Sequence, residues 1–231
     1  MTAAVWLVSL ALQPSVQAPW IWAAAGLVPL LLACAAAGAV SRQLTRARAT
    51  SLTDALTGLP NTRFLHMHLA RELARAERLA STVALVVLDL DRFKAINDGH
   101  GHQVGDRALR GVAAALRATV RPYDVCVRYA GDEFIVVLDG CGAEEAERKR
   151  TELQQAVDDL VVDAGGNRTV RLAISAGAAL YPHDGRTYDA LLAAADARMY
   201  ADKTRRARAM TAGVRADDVA ALPGRLPVPL S

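Results

Sequence analysis

Two β-prone runs, Val125–Tyr129 and Phe134–Leu138, are separated only by Ala130-Gly131-Asp132-Glu133. So short a connection demands an antiparallel β-hairpin, and Gly131 permits the positive φ that a tight turn requires. Upstream, Val83-Ala84-Leu85-Val86-Val87-Leu88 is a continuous apolar run rich in β-branched residues, the pattern of a strand buried on both faces. Elsewhere the apolar period becomes helical. Leu65, Leu69, Leu73 and Ala76 share one face with Arg71, Glu72 and Arg75 between them, and Leu109, Val112, Ala113 and Leu116 repeat the pattern after the first strand. A helix over about Ala143–Leu160, a strand over Val170–Leu180 and a closing helix over Tyr188–Lys203 complete the set. The order βαββαβ predicts an α/β (α+β) domain of ferredoxin-like type, a mixed central sheet flanked by helices.

The charge distribution sets this domain apart from what precedes it. No Asp, Glu, Lys or Arg occurs before Arg42. Trp20 to Val40 is apolar apart from small residues, long enough to cross about 30 Å of hydrocarbon as one transmembrane helix. Trp20 and Trp22 suit one membrane interface, and Arg42, Arg46 and Arg48 follow the other end, so the positive-inside rule puts the rest of the chain in the cytosol. Ala3–Leu12 is too short to span alone. Leu31-Leu32-Ala33-Cys34 faintly resembles a lipoprotein cleavage box, but the absence of a basic leader and the length of the apolar run favour an uncleaved anchor. The expected organisation is a membrane anchor over 1–41, a helical connector over 42–51, a compact domain over 52–210 and a Pro-rich, disordered tail over 211–231. A net charge of +3, dispersed along 231 residues, argues against nucleic-acid binding. Cys34, Cys126 and Cys141 show neither metal-ligand spacing nor a disulfide framework.

Two acidic groups stand where phosphate chemistry would want them. Asp89 and Asp91 end the first buried strand, and Asp132 and Glu133 occupy the hairpin turn. In a ferredoxin-like sheet that strand and that hairpin can be neighbours. Crowded carboxylates repel unless a cation lies between them. Mg²⁺ (or Mn²⁺) takes oxygen ligands and shares its coordination with substrate phosphates. On spacing alone, the alternative that strand ends and turns are simply rich in Asp and Gly stays open.

Ala130-Gly131-Asp132-Glu133-Phe134 resembles the signature turn of the GGDEF family of diguanylate cyclases. Collinear matches accompany it: Asp54-Ala55-Leu56-Thr57-Gly58-Leu59-Pro60-Asn61, Asp89-Leu90-Asp91-Arg92-Phe93-Lys94-Ala95-Ile96-Asn97-Asp98, Gly101-His102-Gln103-Val104-Gly105-Asp106, and Ala195-Asp196-Ala197-Arg198-Met199-Tyr200-Ala201-Asp202-Lys203. The resemblance implies a nucleotidyl-cyclase palm fold that condenses two GTP molecules into cyclic di-GMP as a homodimer, which the anchor would hold at the bacterial inner membrane. It further implies that Asp89, the Leu90 carbonyl and Asp132 hold the metal. Asp132 and Glu133 would help deprotonate the attacking 3′-hydroxyl, with Lys94 neutralising the transferring phosphoryl group. Asn97 and Asp106 would read guanine, His102 would lie near the nucleoside and Lys203 near the phosphates. Arg121 and Asp124, placed five residues before the turn, resemble the family's inhibitory product site for cyclic di-GMP.

Three positions depart from the family pattern or remain open. Ala130 replaces the first signature glycine, and Ala207 stands where an Arg is usual, leaving Arg206 or Arg208 to substitute. A second product-site Arg is offered by Arg148 or Arg150. The rival reading is a degenerate domain that senses GTP or cyclic di-GMP without turnover. It is disfavoured because Asp89, Asp132, Glu133, Asn97 and Asp106 are all retained.

Overall fold

The computed structural model describes residues 32–38 and 51–220. The chain divides into two units, Met1–Ser51 and Leu52–Ser231. In the first, 32–38 are helical. The expected span over 20–40 otherwise lies outside the described residues, as do the apolar stretch 3–12, nearly all of the connector and the end of the tail. Among the described residues no helix is long and apolar enough to cross a membrane.

The second unit runs α1 (Thr62–Leu79), β1 (Val83–Leu90), α2 (Phe93–His100), α3 (His102–Thr119), β2 (Val125–Ala130), β3 (Glu133–Asp139), α4 (Ala143–Asp158), β4 (Val161–Gly165), β5 (Arg168–Arg171), β6 (Ile174–Tyr181) and α5 (Tyr188–Ala220). Its main sheet has the order β2-β3-β1-β6. Every neighbouring pair in it is antiparallel, which corrects the expectation of a mixed sheet. The reason is topological. Each helical crossover skips one position, so β1 and β2, and likewise β3 and β6, run parallel without ever being neighbours.

All eight residues of β1 are buried. Because strand side chains alternate, Ala84, Val86, Leu88 and Leu90 join Leu109, Val112 and Leu116 of α3 and Leu153 and Val157 of α4 in one core cluster. Val83, Leu85 and Val87 join Leu65 and Leu69 of α1 and Leu191, Ala195 and Met199 of α5 in the other. Each face of the sheet is thus covered by a helix pair.

Three local expectations are corrected. The helix expected after β1 is two helices, broken at Gly101 with φ +82°. The strand expected over Val170–Leu180 is split: β5 turns back on β4 in a separate two-stranded sheet, and only β6 joins the main one. The closing helix continues past Lys203 to Ala220.

Both sheet edges are closed to further strands. Along β6, side chains satisfy the outward backbone groups. Asp158 accepts from Ile174 N (3.1 Å), Gln154 donates to Ile174 O (2.8 Å), Asp202 accepts from Ala176 N (3.1 Å), Arg198 donates to Ala178 O (2.6 Å) and Asp184 accepts from Leu180 N (2.8 Å). Along β2, Arg128 N donates to Pro60 O at 3.0 Å and Thr62 Oγ1 donates to Tyr129 O. Side chains and a covering segment in these places block strand addition.

Candidate active site

The register of β1 with its two neighbours builds the site. Asp89 lies directly opposite Glu133 of β3 and Ser175 of β6. Leu90 N donates to the Asp132 carbonyl at 3.2 Å, which ties the end of β1 to the hairpin turn. Asp89, Asp132 and Glu133 therefore gather at one end of the two central strands. The left-handed residue of the turn is Gly131, with φ +52°. Ala130 is exposed at the end of β2 and keeps a negative φ, so its methyl group is accommodated without strain.

The electrostatics follow from this crowding. Asp89 is 9% exposed, and Lys203 Nζ from α5 donates to its Oδ1. Burial pushes the Asp132 and Glu133 carboxyls above the usual range, and the Asp89 charge pushes both further. Burial alone would lower Lys203, but Asp89, Asp91 and Asp132 hold it above the ordinary lysine value. Asp91 lies close enough to Asp89 and Lys203 to feel both charges. It accepts from Ser175 Oγ at 2.7 Å and faces Arg206 Nε at 3.4 Å, while Arg206 Nη2 meets Asp158 at 2.7 Å. Arg206 is thus committed inside the domain, whereas Arg208 is exposed.

Asn97 and Lys94 stand on α2, and His102 and Asp106 on α3. Lys94 and His102 are exposed, Asp106 is half-buried, and Asn97 Oδ1 is buried without a hydrogen-bond partner. Arg121 and Asp124 lie apart from the acidic cluster, at the far end of the hairpin from its turn. Asp124 accepts from Arg121 N at 3.0 Å and from Asp139 N at 3.4 Å. The Arg121 guanidinium pairs with Glu145 and lies 5.8 Å from the Tyr123 ring centroid. Arg148 reaches the same Glu145 at 3.6 Å, while Arg150 is spent on Glu147 (2.6 Å) and Gln154 (2.9 Å).

One positioning contact escaped the sequence reading. Arg128 Nη1 grips Asp54 at 3.0 and 3.2 Å, and its Nε and Nη2 donate to the Gly131 carbonyl at 3.0 and 2.8 Å. Burial works to raise Asp54, but hydrogen bonds from Thr57 and Arg128 outweigh it and hold the carboxyl below its usual range. The signature turn is thereby pinned to the segment that opens the domain. The available signal was a charged residue inside an apolar strand run, just before the turn.

Comparison with known proteins agrees with this geometry. Residues 51–209 match the family described as "Diguanylate cyclase, GGDEF domain". Diguanylate cyclase DosC of Escherichia coli (strain K12) is 37% identical over 152 residues, which cover 66% of this chain and 33% of DosC. Diguanylate cyclase DgcZ of the same strain is 36% identical over 151 residues, covering 65% of this chain and 49% of DgcZ. The chain therefore spans about a third to a half of the length of these curated relatives. Among solved structures, the GGDEF domain of PA1120 (TpbB or YfiN) from Pseudomonas aeruginosa superposes with a TM-score of 0.63 at 35% identity, covering 66% of this chain and 89% of that one. The GGDEF domain of DgcB from Caulobacter crescentus, in complex with c-di-GMP, gives a TM-score of 0.62 at 31% identity, covering 67% and 91%. With a family match over most of its length and an acidic turn set against the end of a buried strand, this chain belongs to the GGDEF-domain family of diguanylate cyclases.

Proposed function

We propose that the chain is a diguanylate cyclase that joins two GTP molecules into cyclic di-GMP and releases pyrophosphate. The observation that carries this reading is the meeting of Asp89, Asp132 and Glu133 beside Lys203 at the end of β1. In the reaction the 3′-hydroxyl of one GTP attacks the α-phosphate of the other. The bond to the β-phosphate breaks, pyrophosphate leaves, and the hydroxyl proton passes to the Asp132–Glu133 pair. The step occurs twice. A carboxyl raised by burial is a stronger base than one in water, which suits Glu133 to that transfer. Lys94 and Lys203 offset charge on the triphosphate, and the exposed Arg208 is the better placed substitute for the missing Arg. Asn97 and Asp106 pair with the guanine edge, with His102 beside the nucleoside. One domain holds one GTP, so turnover requires a homodimer.

The donor set fits a divalent cation. Its groups are hard oxygen ligands whose mutual repulsion is only partly offset by one ammonium group. Among the described residues no group of three or more His, Cys, Asp or Glu side chains is arranged to hold a metal ion by itself. Asp89, the Leu90 carbonyl and Asp132 would therefore hold Mg²⁺ or Mn²⁺ jointly with phosphate oxygens, and the ion would neutralise charge on the triphosphate. Chromatography of purified protein incubated with GTP and Mg²⁺ tests the reading. Cyclic di-GMP is expected; cyclic GMP or a linear dinucleotide as end product would contradict it.

The same reading makes Arg121 and Asp124 a site for inhibitory cyclic di-GMP, with Arg148 as the companion because it shares Glu145 with Arg121. Glu145 there neutralises guanidinium groups that a phosphate or guanine could otherwise engage. Arg121→Ala is expected to weaken product binding by about tenfold or more, the loss of a charged hydrogen bond, and to leave initial GTP turnover intact. Calorimetry with cyclic di-GMP checks this, and undiminished affinity would move the site elsewhere.

For location, the reading is a single membrane span over residues 20–40, with the N-terminus outside and the catalytic domain facing the cytosol of a bacterial inner membrane. Its support is the uncharged run, the Trp pair at one end and the Arg cluster at the other. A reporter active only in the periplasm, fused after Met210, is expected to stay silent. A strong signal, or a mature chain beginning near Cys34, would reverse the topology.

A further inference from the structure

Gly105 occupies the second turn of α3, where glycine forms helix less readily than alanine. It is buried against α2. A Cβ at this position would lie 2.0 Å from Oδ1 and 3.0 Å from Cγ of Asn97, and 3.2 Å from Cε2 of Phe93. The Asn97 amide therefore fills the space in which a side chain at 105 would stand. That amide is also incomplete, because Oδ1 is buried and has no hydrogen-bond partner. A buried polar atom without a partner is costly and calls for a reason. The side chain sits in a crevice that only glycine leaves open, with an acceptor that nothing in the domain satisfies.

We infer that Gly105 is a positioning residue for base recognition: its missing side chain seats the Asn97 amide between α2 and α3, with the rest of this half-buried side chain turned to meet the guanine base. The inference rests on the guanine-reading role proposed for Asn97. It makes a distinctive claim about Gly105→Ala. The atom in the way is the end of a flexible side chain, so the amide swings aside and the helices stay packed, with the Phe93 ring yielding by a few tenths of an ångström. Alanine is in itself the better helix former, so the fold survives while base recognition suffers.

The test is a cycle of Gly105→Ala, Asn97→Ala and the double variant. It uses calorimetric titration with a non-hydrolysable GTP analogue and the matching ATP analogue in the presence of Mg²⁺, with melting temperatures recorded alongside. Each single variant is expected to lose about tenfold in affinity for the GTP analogue, the value of one hydrogen bond to the base. The preference for guanine over adenine should narrow in both. The double variant should bind no worse than Asn97→Ala, because no amide remains to be displaced. That comparison holds even if Gly105→Ala alone melts too low to assay, since both of its proteins lack the clash with the Asn97 amide and only the small Phe93 contact remains. Wild-type affinity in Gly105→Ala, or a further loss in the double variant relative to Asn97→Ala, overturns the seat. If Asn97→Ala itself binds and discriminates like wild type, the guanine role of Asn97 falls and the seat falls with it. If only Asn97→Ala is impaired, the seat alone is wrong.

Discussion

Asp89→Asn is expected to reduce cyclic di-GMP formation by at least about a hundredfold, the scale on which removing one preorganised charge contact at a reacting phosphate acts. The amide keeps the shape of the carboxylate and can still accept from Lys203 Nζ, so the contact that closes α5 over the strand end survives. It also relieves repulsion from Asp132 and Glu133, which burial holds above their usual range and the Asp89 charge raises further. Stability should therefore be retained while the proposed cation site loses its most buried carboxylate. Thermal unfolding and circular dichroism establish the first point, and initial rates with GTP the second. Activity within a few-fold of wild type in a folded Asp89→Asn protein would remove Asp89 from the reaction.

The largest stability effect is expected at Phe134, next to Glu133 of the signature turn. Its ring is fully buried and belongs to the cluster under α3 and α4, opposite Leu88 in the register with β1. Truncating a buried Phe to Ala removes transfer energy and leaves a cavity, at a cost of about 3–5 kcal/mol. That is a large share of the roughly 5–15 kcal/mol by which domains are stable, and corresponds to a melting point lower by about 10 °C or more. Urea unfolding of Phe134→Ala against wild type measures it. A loss under about 1 kcal/mol would mean the sheet closes around the space, contrary to the close packing expected of this core.

The parts of the fold that were legible in the sequence are those written in local pattern. The β1 run and the short link between β2 and β3 needed only neighbouring residues, and both appear where the pattern puts them. The mixed sheet was misjudged because strand neighbours depend on how the crossovers skip, which a run of element types does not encode. The β4–β5 hairpin was missed because β5 is four residues long and poorly buried, with no apolar alternation to announce it. At its turn, Gly165-Gly166-Asn167, all three with positive φ, was the unused signal.

The candidate site shows the same division. Asp89, Asp132 and Glu133 could be picked out by type and motif, but the register that sets Asp89 against Glu133 belongs to the sheet. Arg128 reaches Asp54 across 74 positions of chain, Arg121 reaches Glu145, and Arg206 turns inward to Asp158. None of these partners lies at a helical or strand spacing, so only tertiary packing selects them. Gly105 belongs to a motif legible in the sequence, yet its close approach to Asn97 depends on the angle at which α2 meets α3 after Gly101.

The most direct test of the account is a Mg²⁺ titration of the purified chain at saturating GTP, following pyrophosphate release and cyclic di-GMP together. Without the metal both should stay at baseline, and as it is added both should rise in step, with two pyrophosphates released for each cyclic di-GMP formed. GTP bound tightly at every Mg²⁺ concentration, with no pyrophosphate released, would contradict the account and make the domain a nucleotide sensor.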